Sequence, residues 1–308
     1  MTHEAEIAIV GGGPAGLSAA LTLGRACRRV VVIDHGHPRN AAARVSHGLL
    51  SRDGVSPGEL LAVSLEQLRA YPHVEFLRDT VADVVTQDGR LHVTTISGRV
   101  FRPRKLILAV GLTDVLPAIP GLAECWGTSV FDCPYCHAWE YRDRPLALID
   151  GRAGVLGVVA ILRSWSDDIV LLTNGSSAMD RTERTMLHRS GIAVYNQEIA
   201  SFRHEAGELE GVIFKEGSFL PRSAILYHPP MAQASDLPAR LGLIRGGQFQ
   251  VNPRTAQSAN PDIYVAGDAA GLFTPPTIPT AIYGGAFAAR NAHHAVAIED
   301  FKARAARE

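Results

Sequence analysis

A glycine-rich turn between two apolar runs near the start of the chain most restricts its fold. Gly11, Gly13 and Gly16 follow the short, β-branched run Ile7–Val10 and have the spacing G-x-G-x-x-G. A segment of helical composition comes next, and then a second apolar run that ends at Asp34. Strand, glycine turn, helix and strand with an acid at the end are typical of a dinucleotide-binding βαβ unit.

The residues of this turn are those that a bound nucleotide requires. The first glycine permits the turn, the second lets a pyrophosphate approach the backbone, and the third lets the helix pack closely on the sheet. Pro14 and Ala15 lie within the turn, where the positive end of the helix stabilises phosphate charge. Asp34, 18 residues beyond Gly16, would accept hydrogen bonds from a ribose. A glycine-rich turn in an α/β fold without a nucleotide is the alternative.

The middle of the chain repeats the pattern of strand, turn, helix and strand in "PLALID", "GRAGVLGVVAILRSW" and "DDIVLLTNG". Before it lies "VVTQDGRLHVTTISGRVFRPRKLILAVG", which has the signals of an antiparallel meander with turns at Asp88-Gly89 and Ser97-Gly98. Near the end, "NPDIYVAGDAAG" is a further strand with Asp268 at its carboxyl end. We therefore predict an α/β fold of two dinucleotide-binding, Rossmann-like domains of the three-layer ββα type, the second inserted in the first.

The stretch "CPYCHAWE" contains Cys133, Cys136 and His137, a pattern that fits a zinc site, a haem attachment signal or a redox-active dithiol. A structural zinc site needs about four ligands, and the other cysteines, Cys27 and Cys125, form no second pair. Covalent haem would require export, and the N-terminus lacks the basic segment of a signal peptide. Two unreactive buried thiols remain an alternative. We favour the redox-active dithiol.

The charge balance limits the classes of partner. Thirty basic side chains nearly balance 31 acidic ones, for a formal charge of −1. This balance indicates neither nucleic acid nor an anionic membrane as partner. No apolar run in the sequence is long enough to span a bilayer. With only four cysteines, the chain is predicted to work in the reducing cytoplasm.

The motifs together resemble the low-molecular-weight, FAD-dependent thioredoxin reductase family. "VGGGPAGLSAA", "LAVGL", the central CxxC and "VAGDAAG" occur in the order of that family. "HPRN", "SHGLLSRDGVSPGELL" and "CPYCHAWE" look closest to the branch with gliotoxin- and holomycin-type dithiol oxidases and relatives independent of pyridine nucleotides. The resemblance implies a homodimer. It also implies an FAD-binding domain of residues 1–115 and 246–308 around a pyridine-nucleotide-type domain, 116–245, that carries the redox disulfide.

The resemblance also implies roles for individual residues. Cys136 faces the flavin, Cys133 exchanges with the substrate, and His137 takes the place of the family's acid as the acid–base group. Histidine suits this role because it titrates near neutrality. Glu140, one turn later, is expected to orient His137 or to stabilise its helix. The residues implied to bind FAD are Gly11, Gly13, Pro14, Ala15, Gly16, Asp34, Asn40, Gly111, Gly267, Asp268 and Thr277.

The second dinucleotide motif departs from the family. Asp150 and Arg152 replace the first and third glycines after the strand. The acid would place negative charge at the pyrophosphate position, and the arginine would block close backbone approach. "LTNGSSAMDR" lacks the paired arginines that recognise a 2′-phosphate. We therefore expect NADPH binding to be lost or poor. In "FTPPTIPTAIYGG" the family's Arg-Gln pair is also missing, and Thr277 stands where glutamine is expected.

The sequence thus predicts an FAD-dependent thiol–disulfide oxidoreductase that exchanges electrons between a Cys133–Cys136 disulfide and flavin. We favour a dithiol oxidase, or a reductase with a non-pyridine donor. An NADPH-dependent thioredoxin reductase and a flavin-binding redox sensor are the alternatives. The expected partners are a thioredoxin-like protein or a small dithiol or disulfide, with a ferredoxin-type donor or oxygen at the flavin end.

Overall fold

The computed structural model describes residues 2–3, 5–175, 177–245, 248–272 and 275–307. The chain divides into two compact units. The first comprises Met1–Arg39, Gly58–Thr113 and Ala232–Glu308, and the second comprises Asn40–Pro57 and Asp114–Met231. Each unit is described by itself below.

The first unit is built on a parallel sheet, as the βαβ pattern predicts. Across the sheet the strands run Ile263–Val265, Lys105–Leu108, Ile7–Val10, Val30–Asp34 and Val74–Arg78. The strand Ile7–Val10 is buried at every residue, which is typical of a parallel strand covered on both faces.

The two faces of this sheet have different covers. Ile7 and Ile9 pack in one apolar cluster with the helices Pro14–Arg25, Pro57–Leu68 and Ile278–Ala305. Ala8 and Val10 point into the opposite cluster, since side chains alternate along a strand. The hydroxyl of Ser18 donates to the Ile282 carbonyl at 2.7 Å, which links the first helix to the last.

The opposite face is covered by the predicted meander. Its sheet contains Thr2–His3, Val100–Phe101, Arg90–Thr95 and Val81–Gln87, in that order. The predicted turn at Asp88-Gly89 is confirmed, because both residues have positive φ angles of 51° and 70°. Such a turn matches the right-handed twist of the strands it joins. Helices on one face and a meander on the other give the unit its three layers.

The second unit repeats this architecture. Its parallel sheet runs Val130–Phe131, Ala224–Tyr227, Leu146–Ile149, Ile169–Leu172 and Ala193–Tyr195. The helices Leu156–Leu162 and Arg181–Arg189 contribute to the apolar cluster on one face. An antiparallel meander contributes to the cluster on the other, with strands Ile199–Glu205, Glu208–Phe214 and Phe219–Pro221. The predicted α/β fold with two Rossmann-like domains is confirmed.

Short elements complete the two units. The short helices are Leu122–Cys125, Pro134–His137 and Leu237–Arg240, and the 3₁₀ turns are Arg39–Ala42, Ala138–Tyr141 and Gly267–Ala270. The short strands are Leu112–Asp114, Met231–Gln233, Ile244–Arg245 and Gln248–Phe249. Within the described ranges, no helix combines the length and the apolar content needed to cross a bilayer.

Apart from Asp114 and Val115, which group with the second unit, the grouping of the chain differs from the predicted domain boundaries in two places. Residues 232–245, predicted in the inserted domain, group with the first unit. Residues 40–57, predicted in the FAD-binding domain, group with the second unit. The second difference has a physical basis in an ion pair between Arg44 and Glu208 at 2.8 Å.

Candidate functional site

The predicted nucleotide turn lies at the carboxyl end of the central strand Ile7–Val10. Gly11 has φ of +103°, and a Cβ there would lie 2.3 Å from the carbonyl oxygen of Ala109. A Cβ on Gly16 would lie 1.8 Å from the Gly11 carbonyl oxygen. By contrast, a Cβ on Gly13 would meet no heavy atom within 4 Å. The first and third glycines are therefore in close contact with neighbouring backbone, whereas the second borders open space.

The helix that follows this turn starts in the arrangement expected of an anion site. Gly13 is its N-cap and contributes no side-chain cap, and Pro14 occupies the first turn. The helix continues to Arg25 and has no acidic residue in its first turn. Its N-terminal N–H groups and the helix dipole favour a phosphate at this end.

Asp34 lies at the end of the neighbouring strand, as predicted. One carboxylate oxygen accepts the N–H of Gly12 at 2.8 Å, and the other lies 2.9 Å from the Arg78 guanidinium. The side chain of Asp34 is 13% exposed. Arg78, opposite Asp34 in the strand register, was missed by sequence reasoning. The strand alternation around Val74–Arg78 could have indicated that it lies at the same sheet edge.

Other predicted residues lie at the same sheet edge. A Cβ on Gly267 would lie 2.7 Å from the Cβ of Ala15, so the C-terminal motif adjoins the first helix. Asp268 lies 4.0 Å from Arg39, which also belongs to the first unit. Gly111, with φ of +69°, follows the strand Lys105–Leu108. The structure thus brings these residues together around the open space at the glycine turn.

Thr277 caps the last helix. Its hydroxyl accepts the N–H of Thr280 at 3.4 Å, and the Thr280 hydroxyl accepts the N–H of Thr277 at 2.9 Å. Together they form a capping box at the start of Ile278–Ala305. The preceding Phe273 and Thr274 of the "FTPP" stretch lie outside the described residues.

Asn40 is placed differently from the other predicted FAD residues. It lies in the 3₁₀ turn Arg39–Ala42 and is the first residue of the segment that groups with the second unit. Its carbonyl accepts the N–H of Ala43 at 3.0 Å.

In the second unit, Cys133 and Cys136 form a disulfide with their Cα atoms 5.3 Å apart. Cys133 follows the strand Val130–Phe131 and is the N-cap of the short helix Pro134–His137. Pro134 suits the first helical position because its φ is already helical and its missing N–H has no partner to lose there. Both cysteines are partly exposed. In this arrangement the two cysteines are joined to each other.

His137 packs against the strand that precedes the disulfide. Its ring stacks on Phe131 with centroids 5.3 Å apart, and both ring nitrogens are buried without a hydrogen-bond partner. Burial lowers the pKa of His137 below the ordinary 6.5, although the Asp132 and Glu140 charges act in the opposite direction. The imidazole is therefore neutral at pH 7 and able to accept a proton.

Glu140, three residues after His137, contacts a histidine from the segment 40–57. The Glu140 carboxylate lies 3.5 Å from Nε2 of His47, and the Asp53 carboxylate lies 3.3 Å from Nδ1. The N–H of Gly48, and then His47, lower the pKa of Asp53. His47 therefore lies between two carboxylates, one of them in the "CPYCHAWE" stretch.

Tyr141, the residue that follows this stretch, contacts both Phe131 and Glu208. Tyr141 stacks on Phe131 with centroids 6.1 Å apart, and its hydroxyl donates to Glu208 at 3.0 Å. Burial and then the charge of Glu208 raise the pKa of Tyr141. Tyr141 is therefore neutral and fixes the end of the turn.

His228 is a partly buried titratable group that sequence reasoning missed. It follows the strand Ala224–Tyr227, which lies between the strands that end before Asp132 and Asp150. Burial and then Arg152 lower the pKa of His228, whereas Asp132 and Asp150 oppose this shift. "LYHPP" contains no motif that could have indicated it.

In the second unit, the turn that corresponds to the glycine turn of the first unit is closed by an ion pair between Asp150 and Arg152. The carboxylate of Asp150 accepts the backbone N–H of Arg152 at 2.8 Å, and its guanidinium at 3.0 and 2.8 Å. The Asp150 side chain is 4% exposed and that of Arg152 is 68% exposed. Burial would raise the pKa of Asp150, but Arg152 outweighs burial and holds this pKa below its usual range. The two substituted residues bind each other within the turn.

A second carboxylate, that of Glu183, also binds the loop that contains this turn. Glu183, which is buried, accepts the N–H of Gly154 at 2.6 Å with one oxygen and the N–H of Asp180 at 3.0 Å with the other. Gly154 lies in the loop before the helix Leu156–Leu162. An acidic side chain of the protein thus binds a loop N–H that would face phosphate in an open dinucleotide turn.

The adjoining strand end is also occupied by the protein. Asn174 follows the strand Ile169–Leu172, and its side-chain oxygen accepts the N–H of Ile199 at 2.8 Å.

As for metals, the described part of the chain contains no group of three or more histidine, cysteine, aspartate or glutamate side chains that could hold an ion.

Comparisons with known proteins agree with this geometry. The pyridine nucleotide-disulphide oxidoreductase family matches the chain over residues 5–295. Thioredoxin reductase tcpT from Claviceps purpurea is 31% identical over 297 residues, covering 90% of this chain and 89% of the relative.

Two solved structures are also similar. The crystal structure of HlmI is 33% identical with a TM-score of 0.91 and covers 100% of this chain and 97% of its own. An oxidoreductase from Agrobacterium tumefaciens is 30% identical with a TM-score of 0.86 and covers 96% of this chain and 99% of its own.

The closed turn predicts a pH-dependent stability defect in Arg152→Ala, because the buried Asp150 carboxylate loses its cation. With Arg152 largely exposed and its ion pair screened, we expect a loss of about 1 kcal/mol at pH 7. Since the pKa of Asp150 is lowered, the loss stays constant above the ordinary value of 3.8 and shrinks as pH falls through the folded pKa. Urea unfolding at several pH values measures it.

Arg189→Ala is the matched control, because this exposed arginine of the same unit ends the helix Arg181–Arg189. Its effect is expected to be smaller and independent of pH. An Arg152→Ala protein as stable as wild type at pH 7 would contradict the ion pair.

Proposed function

This chain belongs to the pyridine nucleotide-disulphide oxidoreductase family, and we propose that it oxidises a dithiol substrate through Cys133–Cys136 without using a pyridine nucleotide. Among its relatives are thioredoxin reductases, and it is a thioredoxin reductase-like flavoprotein. The observation that carries the proposal is the closure of the second dinucleotide turn by Asp150, Arg152 and Glu183. With no pyridine nucleotide as donor, the proposed source of electrons is the substrate dithiol.

The first unit offers a cradle that fits FAD, the cofactor of this family. Gly13 borders open space, the first helix has no side-chain cap, and Asp34 ends the neighbouring strand, where its carboxylate would accept hydrogen bonds from a ribose. These residues would hold the diphosphate and adenosine half, and Arg39 and Arg78 balance the two acids of the cradle. When bound, FAD would supply an acceptor for the electron pair of the reduced cysteines and a donor to oxygen or another acceptor.

The thiol steps follow from disulfide exchange. One substrate thiol loses its proton and its sulfur bonds to Cys133, while the Cys133–Cys136 bond breaks and Cys136 leaves as a thiolate. The second substrate thiol then loses its proton and attacks the mixed disulfide, which releases Cys133. The substrate ends as a disulfide and the enzyme as a dithiol, so two electrons and two protons have moved.

His137 is the proposed base for the first proton. A thiolate is the nucleophile in exchange, so an incoming thiol needs an acceptor close to the disulfide. His137 directly follows Cys136, and its lowered pKa keeps the imidazole neutral at pH 7. A neutral base in the resting enzyme favours the direction in which the substrate arrives as a thiol.

The second turn supports the exclusion of NADPH. Its Asp150 carboxylate repels a pyrophosphate, and Arg152, which could attract one, is bound to Asp150. Glu183 accepts the N–H of Gly154, so binding a phosphate there would require moving a buried carboxylate. Displacing this arrangement would cost about the energy of several charge-assisted hydrogen bonds, roughly 1.5–3 kcal/mol each.

The proposal extends to partners. Electrons come from a small dithiol or from a thioredoxin-like protein, and oxygen or a ferredoxin-type protein exchanges electrons at the flavin end. We further propose a homodimer. Ile298 and Phe301 support self-association, because they are 41% and 75% exposed on the last helix.

The disulfide assignment predicts a loss of turnover in Cys133→Ser and Cys136→Ser, since neither variant can form the disulfide. We expect dithiol-dependent oxygen consumption to fall at least about a thousandfold, with unchanged FAD content. In Cys136→Ser the remaining Cys133 thiol should form a stable mixed disulfide with an activated disulfide reagent, seen by mass spectrometry.

Cys27→Ser is the matched control, because Cys27 is an exposed free thiol. It should turn over at the wild-type rate. Full activity in Cys133→Ser would contradict the assigned exchange.

The role of His137 predicts a pH dependence with a definite sign. The neutral imidazole is the active form, so wild-type kcat/KM should fall only as pH drops through a pKa below 6.5. His137→Gln should lose this acid limb and be about a hundredfold slower at pH 7. Steady-state rates across pH 4.5–8 measure both, and the exposed His188→Gln is the control. An acid limb that persists in His137→Gln would assign it to another group.

A further inference from the structure

The segment 40–57 interrupts the first unit in the sequence, but in the fold it groups with the second unit. Its Arg44 guanidinium binds Glu208 at 2.8 Å and donates to the Ala206 carbonyl at 2.6 Å. A Cβ on Gly127, which has φ of +78°, would lie 2.7 Å from the carbonyl carbon of Ala42. The segment is therefore held against the unit that carries the disulfide.

His47 is the titratable group that this segment brings to the redox site. Its Nδ1 faces Asp53, six residues later in the same segment, at 3.3 Å. Its Nε2 faces Glu140, three residues after His137, at 3.5 Å. The ring is 22% exposed, whereas the Glu140 side chain is 40% and the Asp53 side chain 69% exposed.

The two contacts of His47 belong to different parts of the unit. Asp53 also accepts the N–H of Gly48 at 2.8 Å, and the N–H of Gly54 binds the Ser46 carbonyl at 3.0 Å. The Asp53 contact therefore organises the segment itself. Only the Nε2 contact reaches the turn Ala138–Tyr141, which directly follows His137.

We propose that His47 is a positioning residue that fixes the Glu140 carboxylate beside the redox turn while the substrate thiol gives up its proton. The inference rests on the proposed function. As the substrate sulfur bonds to Cys133 and the Cys133–Cys136 bond breaks, the thiol proton moves to His137. A fixed Glu140 carboxylate stabilises the resulting imidazolium, and the proton then passes to the Cys136 thiolate or to water.

Electrostatics support this arrangement. Against the lowering effect of burial, the charges of Asp132 and Glu140 favour the protonated form of His137, whereas His47 opposes it. A carboxylate 40% exposed to water loses much of its effect if it swings outward. Holding Glu140 in place is therefore the contribution that His47 can make.

Two variants separate the contacts of His47. The amide nitrogen of asparagine takes the place of Nδ1, so His47→Asn keeps a polar nitrogen beside Asp53 and loses the one beside Glu140. The amide nitrogen of glutamine takes the place of Nε2, so His47→Gln keeps a polar nitrogen beside Glu140. The measurement is anaerobic reduction of the purified yellow holoprotein by dithiothreitol, followed as flavin bleaching in a stopped-flow instrument.

We expect the limiting rate to fall about tenfold in His47→Asn, with the half-saturating dithiothreitol concentration unchanged. Glu140→Gln should show the same defect, and His47→Asn combined with Glu140→Gln should be no slower than Glu140→Gln alone. His47→Gln should stay within about threefold of wild type. Because the Glu140 side chain is 40% exposed, its variant is expected to leave the fold intact and tests the contact independently of His47.

Other results would overturn the inference. A wild-type rate in His47→Asn or Glu140→Gln would show that the contact does not serve the reaction. A His47→Gln protein slower than His47→Asn would assign His47 to the Asp53 contact and thus to the order of the segment. If dithiothreitol reduces no flavin even in wild type, the proposed function fails and this inference with it, so the two failures are distinguishable.

Discussion

Both parallel sheets are covered on two faces, and this burial leaves only the strand ends open for chemistry. In the first unit, the carboxyl ends of Ile7–Val10 and Val30–Asp34 carry the glycine turn and Asp34. In the second, the ends of Val130–Phe131 and Leu146–Ile149 lead into the disulfide and Asp150. An open α/β sheet binds ligands at this edge, so the reactive residues follow from the packing of the apolar strands.

The carboxyl ends of the parallel strands serve different purposes in the two units. At Gly13 a side chain would meet open space, and the acid of that site has an arginine partner in Arg78. At the equivalent turn of the second unit, Arg152 binds Asp150, and Glu183 binds the loop. One dinucleotide turn is thus fit for a cofactor, and the other is filled by the protein's own carboxylates. In the proposed function, thiol chemistry at Cys133–Cys136 provides the entry for electrons.

Much of this organisation could be predicted from the sequence because it depends on local pattern. Apolar runs, glycine spacing and CxxC predicted the class of fold, the repeated unit and the disulfide. The partners of the site residues could not be predicted in this way. Arg78, Glu183, His47 and His228 reach the sites through strand register or chain crossing, and no short motif encodes such contacts. The replacement of glycines by Asp150 and Arg152 was visible, but their mutual pairing required the folded turn.

The most direct test of the account is an anaerobic titration of the purified yellow protein with NADPH and then with dithiothreitol, followed by flavin absorbance. The account predicts no bleaching by NADPH, full bleaching by the dithiol, and recovery of the colour when an electron acceptor is admitted. Rapid bleaching by NADPH would contradict the closure of the second dinucleotide turn and establish an ordinary nicotinamide-dependent reductase in its place.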